Sequence, residues 1–336
     1  MTRNYNIACI QSAIEVIDDP SRKDAVIARN LDRSLRIAES VIRKDDVKIF
    51  LFPEGWLQGY NHLRSADDWE AICIQVPGLE TARMGEFASR HGIYLAGAAF
   101  ERDLDWPEVW FTTGFIIGPS GKVELRYRKV QERNIEGLIP NTSPADVYSE
   151  YLQRYGEDSI FPVLDTPYGR LAMIVENDVN FFELTRVFTF HGAEIFLHPT
   201  TEENGSQFPG WDQARRSRCY EGLCYLASAN NGQVTSESYP SLASRGCSTV
   251  VDFQGNILAR IEGSGESLLV APIDLQRLRS RRMEVRMNYP AQVKSELFGK
   301  EFAKQVLMPN DTGPATPEAG EATIRRLQDE HVLVKP

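Results

Sequence analysis

The stretch that decides the fold of this chain lies just past its middle. It reads Ile174-Val175-Glu176-Asn177-Asp178-Val179-Asn180-Phe181-Phe182-Glu183. Residues 171–175 are all apolar and predict a buried strand, whereas residues 181–191 predict a helix. A carboxylate, an amide and a second carboxylate stand between them. Such a polar turn holds its side chains at the end of a rigid element, which is where functional groups are positioned well.

Three short motifs on the N-terminal side have a similar setting. Phe52-Pro53-Glu54 closes an apolar strand and is followed by Gly59-Tyr60. Tyr127-Arg128-Lys129 ends the second strand of a predicted hairpin, and Ile135-Glu136-Gly137 follows a few residues later. Each motif is weak alone, but their order along the chain is Glu, Lys, Glu and then the turn at residue 176.

This ordered set resembles the nitrilase superfamily of carbon–nitrogen hydrolases, with the aliphatic amidase and nitrilase branches nearest. The resemblance covers roughly residues 5–275 and implies an α/β fold, the αββα sandwich of that family. Its register places Glu176 where the family has its nucleophilic cysteine, and Phe182 where the family usually has proline.

The resemblance also implies a role for each motif. Glu54 corresponds to the general base, Lys129 to the ammonium that stabilises the oxyanion, and Glu136 to a supporting carboxylate. Glu132 competes with Glu136 for that last role. The backbone N–H of Asn177 corresponds to the second oxyanion donor.

A glutamate at position 176 changes the chemistry of such a site. Three carboxylates around one ammonium leave a local charge of about −2, and like charges ~4 Å apart repel by about 4 kcal/mol at an effective dielectric near 20. One carboxyl is therefore expected to hold a proton at neutral pH. A carboxylate attacking an amide would form an anhydride, so the cysteine mechanism does not transfer.

Two functional hypotheses follow. In the first, the protein acts on a small amide- or nitrile-like molecule by a cysteine-independent route that involves Glu176. In the second, it is a catalytically silent relative that binds a small molecule or serves as an assembly subunit. We expect Tyr60, Asn177, Thr200 and Trp211 to bind the substrate, with Phe208 near them.

Composition limits the alternatives. The 336-residue chain has a formal net charge of −10, 42% hydrophobic and 25% charged residues, which is ordinary for a soluble protein and argues against nucleic-acid or anionic-membrane partners. No apolar run approaches the ~20 residues of a membrane span. Residues 1–6 lead directly into a predicted strand, so we expect no signal peptide. Five scattered cysteines predict free thiols in a reducing cytoplasm. The five histidines are dispersed, so we expect neither a metal nor a cofactor.

Helical and strand periodicities alternate along the chain and predict two αββ-type halves packed as one unit. We expect a hydrolase domain over residues 1–285 and a C-terminal extension over 286–336. The resemblance implies that this extension can wrap a neighbouring subunit, as such tails often do in the family. Within the extension, residues 310–321 predict a mobile linker and 322–331 a final helix. The resemblance implies at least a homodimer, built through the helices predicted at 181–191 and 211–222. The remaining predicted elements are strands at 6–11, 48–52, 93–100, 110–117, 122–127, 194–198, 247–252 and 256–261, and helices from residue 21, at 80–90 and near 148–155.

Overall fold

A computed structural model describes residues 4–42, 45–202, 208–238 and 244–334. The strands, in chain order, are β1 (Tyr5–Gln11), β2 (Ile14–Glu15), β3 (Val47–Glu54), β4 (Tyr94–Arg102), β5 (Trp110–Ile117), β6 (Val123–Arg128), β7 (Leu164–Thr166), β8 (Gly169–Met173), β9 (Ile195–Thr200), β10 (Tyr225–Asn230), β11 (Val234–Thr235), β12 (Thr249–Val251), β13 (Ile257–Arg260) and β14 (Ser267–Ile273). The α-helices are α1 (Lys23–Ile42), α2 (Ala66–Ile72), α3 (Leu79–His91), α4 (Tyr148–Tyr155), α5 (Phe182–Phe190), α6 (Phe208–Gly222), α7 (Leu275–Arg282), α8 (Tyr289–Gln292), α9 (Ser295–Phe302) and α10 (Pro317–Asp329).

Two mixed sheets form the centre of the molecule. The first has the strand order β14-β1-β3-β4-β5-β6, and the second has the order β13-β12-β10-β9-β8-β7. In the first sheet, β1 is parallel to β3 and antiparallel to β14. In the second, β9 is parallel to both β8 and β10. A short β11–β2 pair lies outside both sheets.

The hydrophobic core explains why the sheets stack. Successive side chains of a strand point to opposite faces. In β3, Ile49 and Leu51 enter the core shared by the two sheets, whereas Phe50 and Phe52 enter a second core that also contains residues of α1 and α3. Leu184 of α5 and Cys219 of α6 join the shared core from the second sheet. The layers are helix, sheet, sheet and helix, which confirms the predicted αββα sandwich.

Several predicted elements differ from the structure at their ends. The strand predicted at 247–252 is shorter, because Cys247 has a φ of +57° and regular pairing starts at Thr249. The predicted linker at 310–321 is wrong for its last five residues, which begin α10. Thr316 caps this helix and Pro317 occupies its first turn, an N-terminal signal that the composition of the segment obscured.

The C-terminal segment docks on its own chain. Asp311 accepts hydrogen bonds from the backbone N–H (2.8 Å) and hydroxyl (2.7 Å) of Ser149, at the first turn of α4. Helix α10 packs on the turn at Asn134–Glu136, where Gly320 lies against Ile135. Among the described residues, no helix is both long and apolar enough to cross a membrane.

Candidate active site

Three strand ends carry the residues that the sequence singled out. Glu54 is the last residue of β3, Lys129 directly follows β6, and Glu176 begins a short 3-10 turn shortly after β8 of the other sheet. The N–H of Lys129 still donates to the carbonyl of Thr112 in β5, at 2.9 Å. The ladder therefore fixes the position of the lysine backbone.

The ammonium of Lys129 is the centre of a buried cluster. Its Nζ lies 3.0 Å from Glu176 Oε2 and 3.5 Å from Glu54 Oε1. It also lies 3.5 Å from Oε2 of Glu132. All four side chains are at most 5% exposed. The structure thus brings Glu54 and Glu176 into contact with Lys129, in agreement with the convergence that the motif order predicts.

Glu136 does not join this cluster, and the expectation that it lies there is corrected. Its side chain is 46% exposed and accepts a hydrogen bond from Arg133 Nε at 3.1 Å. The reason is local: residues 134–136 form a 3-10 turn that ends at Gly137 with a φ of +70° and leaves the Glu136 side chain in solvent. Glu132, the alternative left open by the sequence, lies beside Lys129 instead.

Glu176 occupies a strained position. Its φ is +43°, a left-handed conformation that is uncommon for residues other than glycine, asparagine or aspartate. His198 supports this backbone, because its Nε2–H donates to the Glu176 carbonyl at 2.9 Å while Nδ1 lies 3.0 Å from the Ser228 hydroxyl. Burial, reinforced by the charge of Arg215, holds the pKa of His198 well below its usual range. The imidazole is therefore a neutral, fixed donor.

The carboxylate of Glu176 is bound by three donors. Its Oε2 accepts from Lys129 Nζ at 3.0 Å and from the N–H of Asn177 at 2.7 Å. Its Oε1 accepts from Arg133 Nη1 at 3.2 Å. The ammonium and the backbone N–H that the resemblance assigns to the oxyanion thus meet on a single oxygen of Glu176.

Arg133 is a residue that the sequence reasoning missed. It bridges Glu176 inside the cluster and Glu136 outside it, at the turn covered by α10. The one signal in the sequence was its position, directly after Glu132 and four residues beyond Lys129. Nothing in the pattern shows that its side chain turns inward.

Burial of several carboxyl groups around one ammonium shifts their pKa values. Burial raises the pKa of Glu54 to about 8. The charge of Lys129 opposes this rise, and the charges of Glu176 and Glu132 add to it. Burial, offset by Lys129, raises the pKa of Glu132 to about 7. Burial opposes the charge of Lys129 itself, but the surrounding carboxylates outweigh it and its pKa lies well above the usual range. Glu54 therefore holds a proton most of the time at neutral pH.

The predicted binding residues are spread more widely. Tyr60 is partly buried, with its ring 5.7 Å from that of Trp69. Thr200 is buried and donates its hydroxyl to Glu202 at 3.0 Å, while Trp211 is 8% exposed and packs in the core shared by the sheets. The side chain of Phe208 lies outside the described residues. Asn177 contacts the cluster directly, because its N–H donates to Glu176.

No cysteine thiol is among the hydrogen-bond or ion-pair partners of Lys129 and Glu176 given above. Cys9, Cys73, Cys219 and Cys224 are buried, Cys247 is partly buried, and all five are free. Burial raises the pKa of Cys9 and Cys73 above the usual range, so these two thiols remain protonated. Within the described ranges, no group of three or more His, Cys, Asp or Glu side chains could hold a metal ion.

Known proteins share this fold and sequence pattern. Human omega-amidase NIT2 is 27% identical over 232 residues, which cover 68% of this chain and 78% of that protein. Nitrilase 3 of Arabidopsis thaliana is 24% identical over 302 residues, covering 80% and 78%. The crystal structure of Saccharomyces cerevisiae Nit3, a member of branch 10 of the nitrilase superfamily, superposes with a TM-score of 0.68 at 20% identity, covering 87% of this chain and 97% of that one.

A bacterial amidase has the same architecture. The crystal structure of an amidase from Nesterenkonia sp. superposes with a TM-score of 0.62 at 22% identity, covering 90% of this chain and 97% of that one. The sequence itself matches the Carbon-nitrogen hydrolase family over residues 6–283. This chain belongs to the Carbon-nitrogen hydrolase family.

Proposed function

We propose that this protein is a carbon–nitrogen hydrolase relative that binds a small molecule in the Glu54–Lys129–Glu176 cluster without cysteine-type turnover. One observation carries the proposal. Oε2 of Glu176 accepts hydrogen bonds from both Lys129 Nζ (3.0 Å) and the Asn177 N–H (2.7 Å). Those two donors must face the substrate oxygen if they are to stabilise an oxyanion.

The comparison with the Nesterenkonia amidase supports this proposal. In one mutant of that protein, the acetamide moiety of fluoroacetamide is covalently added to the active-site cysteine. We place Glu176 at the corresponding position, where no sulfur is available to form such a bond. The three hydrogen bonds to this carboxylate also occupy its lone pairs, which makes it a weak nucleophile.

A second candidate is hydrolysis of a small amide- or nitrile-like molecule by a cysteine-independent route. The pKa of Glu54, raised to about 8 by burial and by neighbouring carboxylates, favours it because such a group exchanges protons near neutral pH. Ionised Glu54 would take a proton from water while the oxygen of that water bonds to the amide carbon. The proton would then pass to the departing amine. Glu176 would first have to rotate away and release Lys129.

Release of ammonia separates the two candidates. The unmodified chain, incubated with small aliphatic amides and nitriles, is expected to release no ammonia above the uncatalysed rate. Enzyme-dependent release that persists with thiol reagents and is lost in Glu176→Gln would establish the second candidate. Release that Glu176→Gln leaves unchanged would show a route without Glu176 and would overturn both.

We also propose a cytoplasmic homodimer with a hydrolase domain over 1–285 and an extension over 286–336. The exposed aromatic side chains of α5 and α6 support the contact, since Phe182 and Phe190 are both 48% exposed and Tyr220 is 42% exposed. Phe188 is buried within its own chain, so it makes no part of this surface. Light scattering at micromolar concentration is expected to give twice the mass of the chain, and a monomer would refute the dimer.

A further inference from the structure

The N–H donors of the cluster are used, whereas two of its carboxyl groups have no close hydrogen-bond partner. Lys129, Arg133 and the N–H of Asn177 all donate to Glu176. The carboxyl of Glu54, by contrast, has one hydrogen-bond contact among the described residues, at 3.5 Å from Lys129. A ligand that enters beside these groups therefore meets the carboxyl groups of Glu54 and Glu132, because the N–H donors of the cluster are taken by Glu176.

Glu132 provides an independent observation. Its side chain is 1% exposed, and neither of its carboxylate oxygens has a donor in regular hydrogen-bond geometry among the described residues. Lys129, at 3.5 Å, and the side chain of Asn141 approach it only loosely. The side-chain oxygens of Asn141 and Asn231 also lack donors within the described part of the chain. Asn231 lies at the base of the cluster, because its amide donates to the Glu54 carbonyl at 3.2 Å. Buried acceptors of this kind are costly to leave unpaired.

The charges of the cluster also favour a cationic ligand over an anionic one. Three acidic side chains, Glu54, Glu132 and Glu176, contact the single ammonium of Lys129. Outside them, the charge of Arg133 is shared with Glu136. An anionic ligand would have to displace Glu176 from its donors. A cation with several N–H groups would instead meet the loosely paired oxygens of Glu132, and its charge would favour the ionised form of Glu54.

We propose that this cluster selects a small cation rich in N–H donors, an amidinium or protonated amine, and rejects carboxylates of the same size. Glu176 acts as the internal anion that sets this preference. The inference rests on the proposed function, since it assumes that the cluster binds a ligand, and it adds the chemical class of that ligand.

Three nearly isosteric probes test the proposal. Acetamidinium chloride, acetamide and sodium acetate differ mainly in charge and in their numbers of donors and acceptors. Binding to the unmodified chain, measured by thermal shift and calorimetry at matched ionic strength, is expected to be at least about tenfold tighter for acetamidinium than for acetate, with acetamide between them. Equal binding of the three probes, tighter binding of acetate, or no binding of acetamidinium would overturn the proposal. In the last case, water alone would satisfy the unpaired acceptors.

Glu176→Ala provides the sharper test, because it should invert the order. Without the carboxylate, Lys129, Arg133 and the N–H of residue 177 face an empty volume about the size of acetate, so acetate should bind at least about tenfold more tightly than acetamidinium. Glu176→Gln serves if the alanine variant does not fold, and it should reduce the preference for acetamidinium. Glu39→Gln, an exposed change on α1, is the matched control and should keep the original order. If the Glu176 variants bind the three probes in the same order of affinity as the unmodified chain, the role of Glu176 is refuted.

The failure of this inference is distinguishable from failure of the proposed function. Acetamide hydrolysis by the unmodified chain would overturn the silent-binder proposal and leave the charge preference intact. Loss of the charge preference would overturn this inference and leave the absence of turnover unaffected.

Discussion

Replacing Lys129 with methionine should be one of the most destabilising single changes in this protein. The ammonium contacts Glu176 at 3.0 Å and both Glu54 and Glu132 at 3.5 Å. Each contact corresponds to about 5 kcal/mol of gross Coulomb attraction at an effective dielectric near 20. Desolvation cancels much of this, but removal of one partner from a buried ion pair still costs about 3–5 kcal/mol, because the remaining charge is left uncompensated. We expect Lys129→Met to lose about 4 kcal/mol of unfolding free energy at pH 8.

The loss should depend on pH. The pKa values of Glu54 and Glu132 are raised to about 8 and about 7 even beside Lys129, so both groups hold protons at pH 5 in the variant. Less uncompensated charge then remains, and the loss should be smaller. Urea denaturation at pH 5 and pH 8 measures both values. Lys300→Met, which breaks an exposed pair with Glu296 at 2.6 Å, is the control and should cost at most about 1 kcal/mol at either pH. If Lys129→Met is within about 1 kcal/mol of this control at pH 8, the cluster does not depend on its ammonium and the electrostatic account is wrong.

Other changes test separate parts of the account. The pKa of Glu54 in the folded state, about 8, lies above its ordinary value. Its contribution to stability is therefore present at low pH and is lost as the pH rises toward 8. Glu54→Gln should reduce this loss of stability between pH 5 and pH 8, measured by urea titrations. A Glu54→Gln curve parallel to that of the unmodified chain would contradict it. Glu132→Gln should change the free energy of unfolding and its pH dependence, whereas Glu136→Gln should change that free energy by less than about 0.5 kcal/mol. A larger change at Glu136 than at Glu132 would place Glu136 in the cluster. Gly320→Val should undock α10, because a Cβ there would lie 2.8 Å from Ile135 Cγ1, and trypsin should then cleave the arginines of α10 faster than in the unmodified chain; unchanged cleavage would show that α10 does not depend on this contact.

The convergence of Glu54, Lys129 and Glu176 could be predicted from the sequence because each residue lies at or close after the end of a strand. Periodicity locates strand ends well, and stacked sheets bring those ends together. The role of Asp178 was less visible, although it lies in the same stretch. It accepts hydrogen bonds from the Val175 N–H and the Tyr127 hydroxyl, both at 2.8 Å, and so fixes the turn rather than the ligand site.

The choice between Glu132 and Glu136 could not be made from the pattern. It depends on a 3-10 turn and on the positive φ of Gly137, which direct one side chain inward and the other to solvent. The inward path of Arg133 depends on the same turn. Tertiary geometry of a short irregular segment leaves no periodic signal, so these assignments required the structure.

The hydrogen bonds of Glu176 could also be recognised only in the structure. The sequence places a carboxylate near a lysine, but it does not show that one oxygen takes both the ammonium and the N–H of Asn177. That detail distinguishes a site whose oxyanion donors are already occupied from a site whose donors are free to bind a substrate. It is the basis for proposing that the donors of a hydrolase site persist beneath an internal anion.

The most direct test of this claim is the reactivity of a thiol placed at position 176. In Glu176→Cys, Lys129 and the N–H of residue 177 should stabilise the thiolate, and Glu54 should accept its proton. Iodoacetamide labelling followed by mass spectrometry should modify residue 176 faster than the average of the five native cysteines, and Lys129→Met in the same chain should abolish this advantage. Labelling of residue 176 no faster than that of the buried native thiols would contradict the claim that a hydrolase donor set remains beneath Glu176.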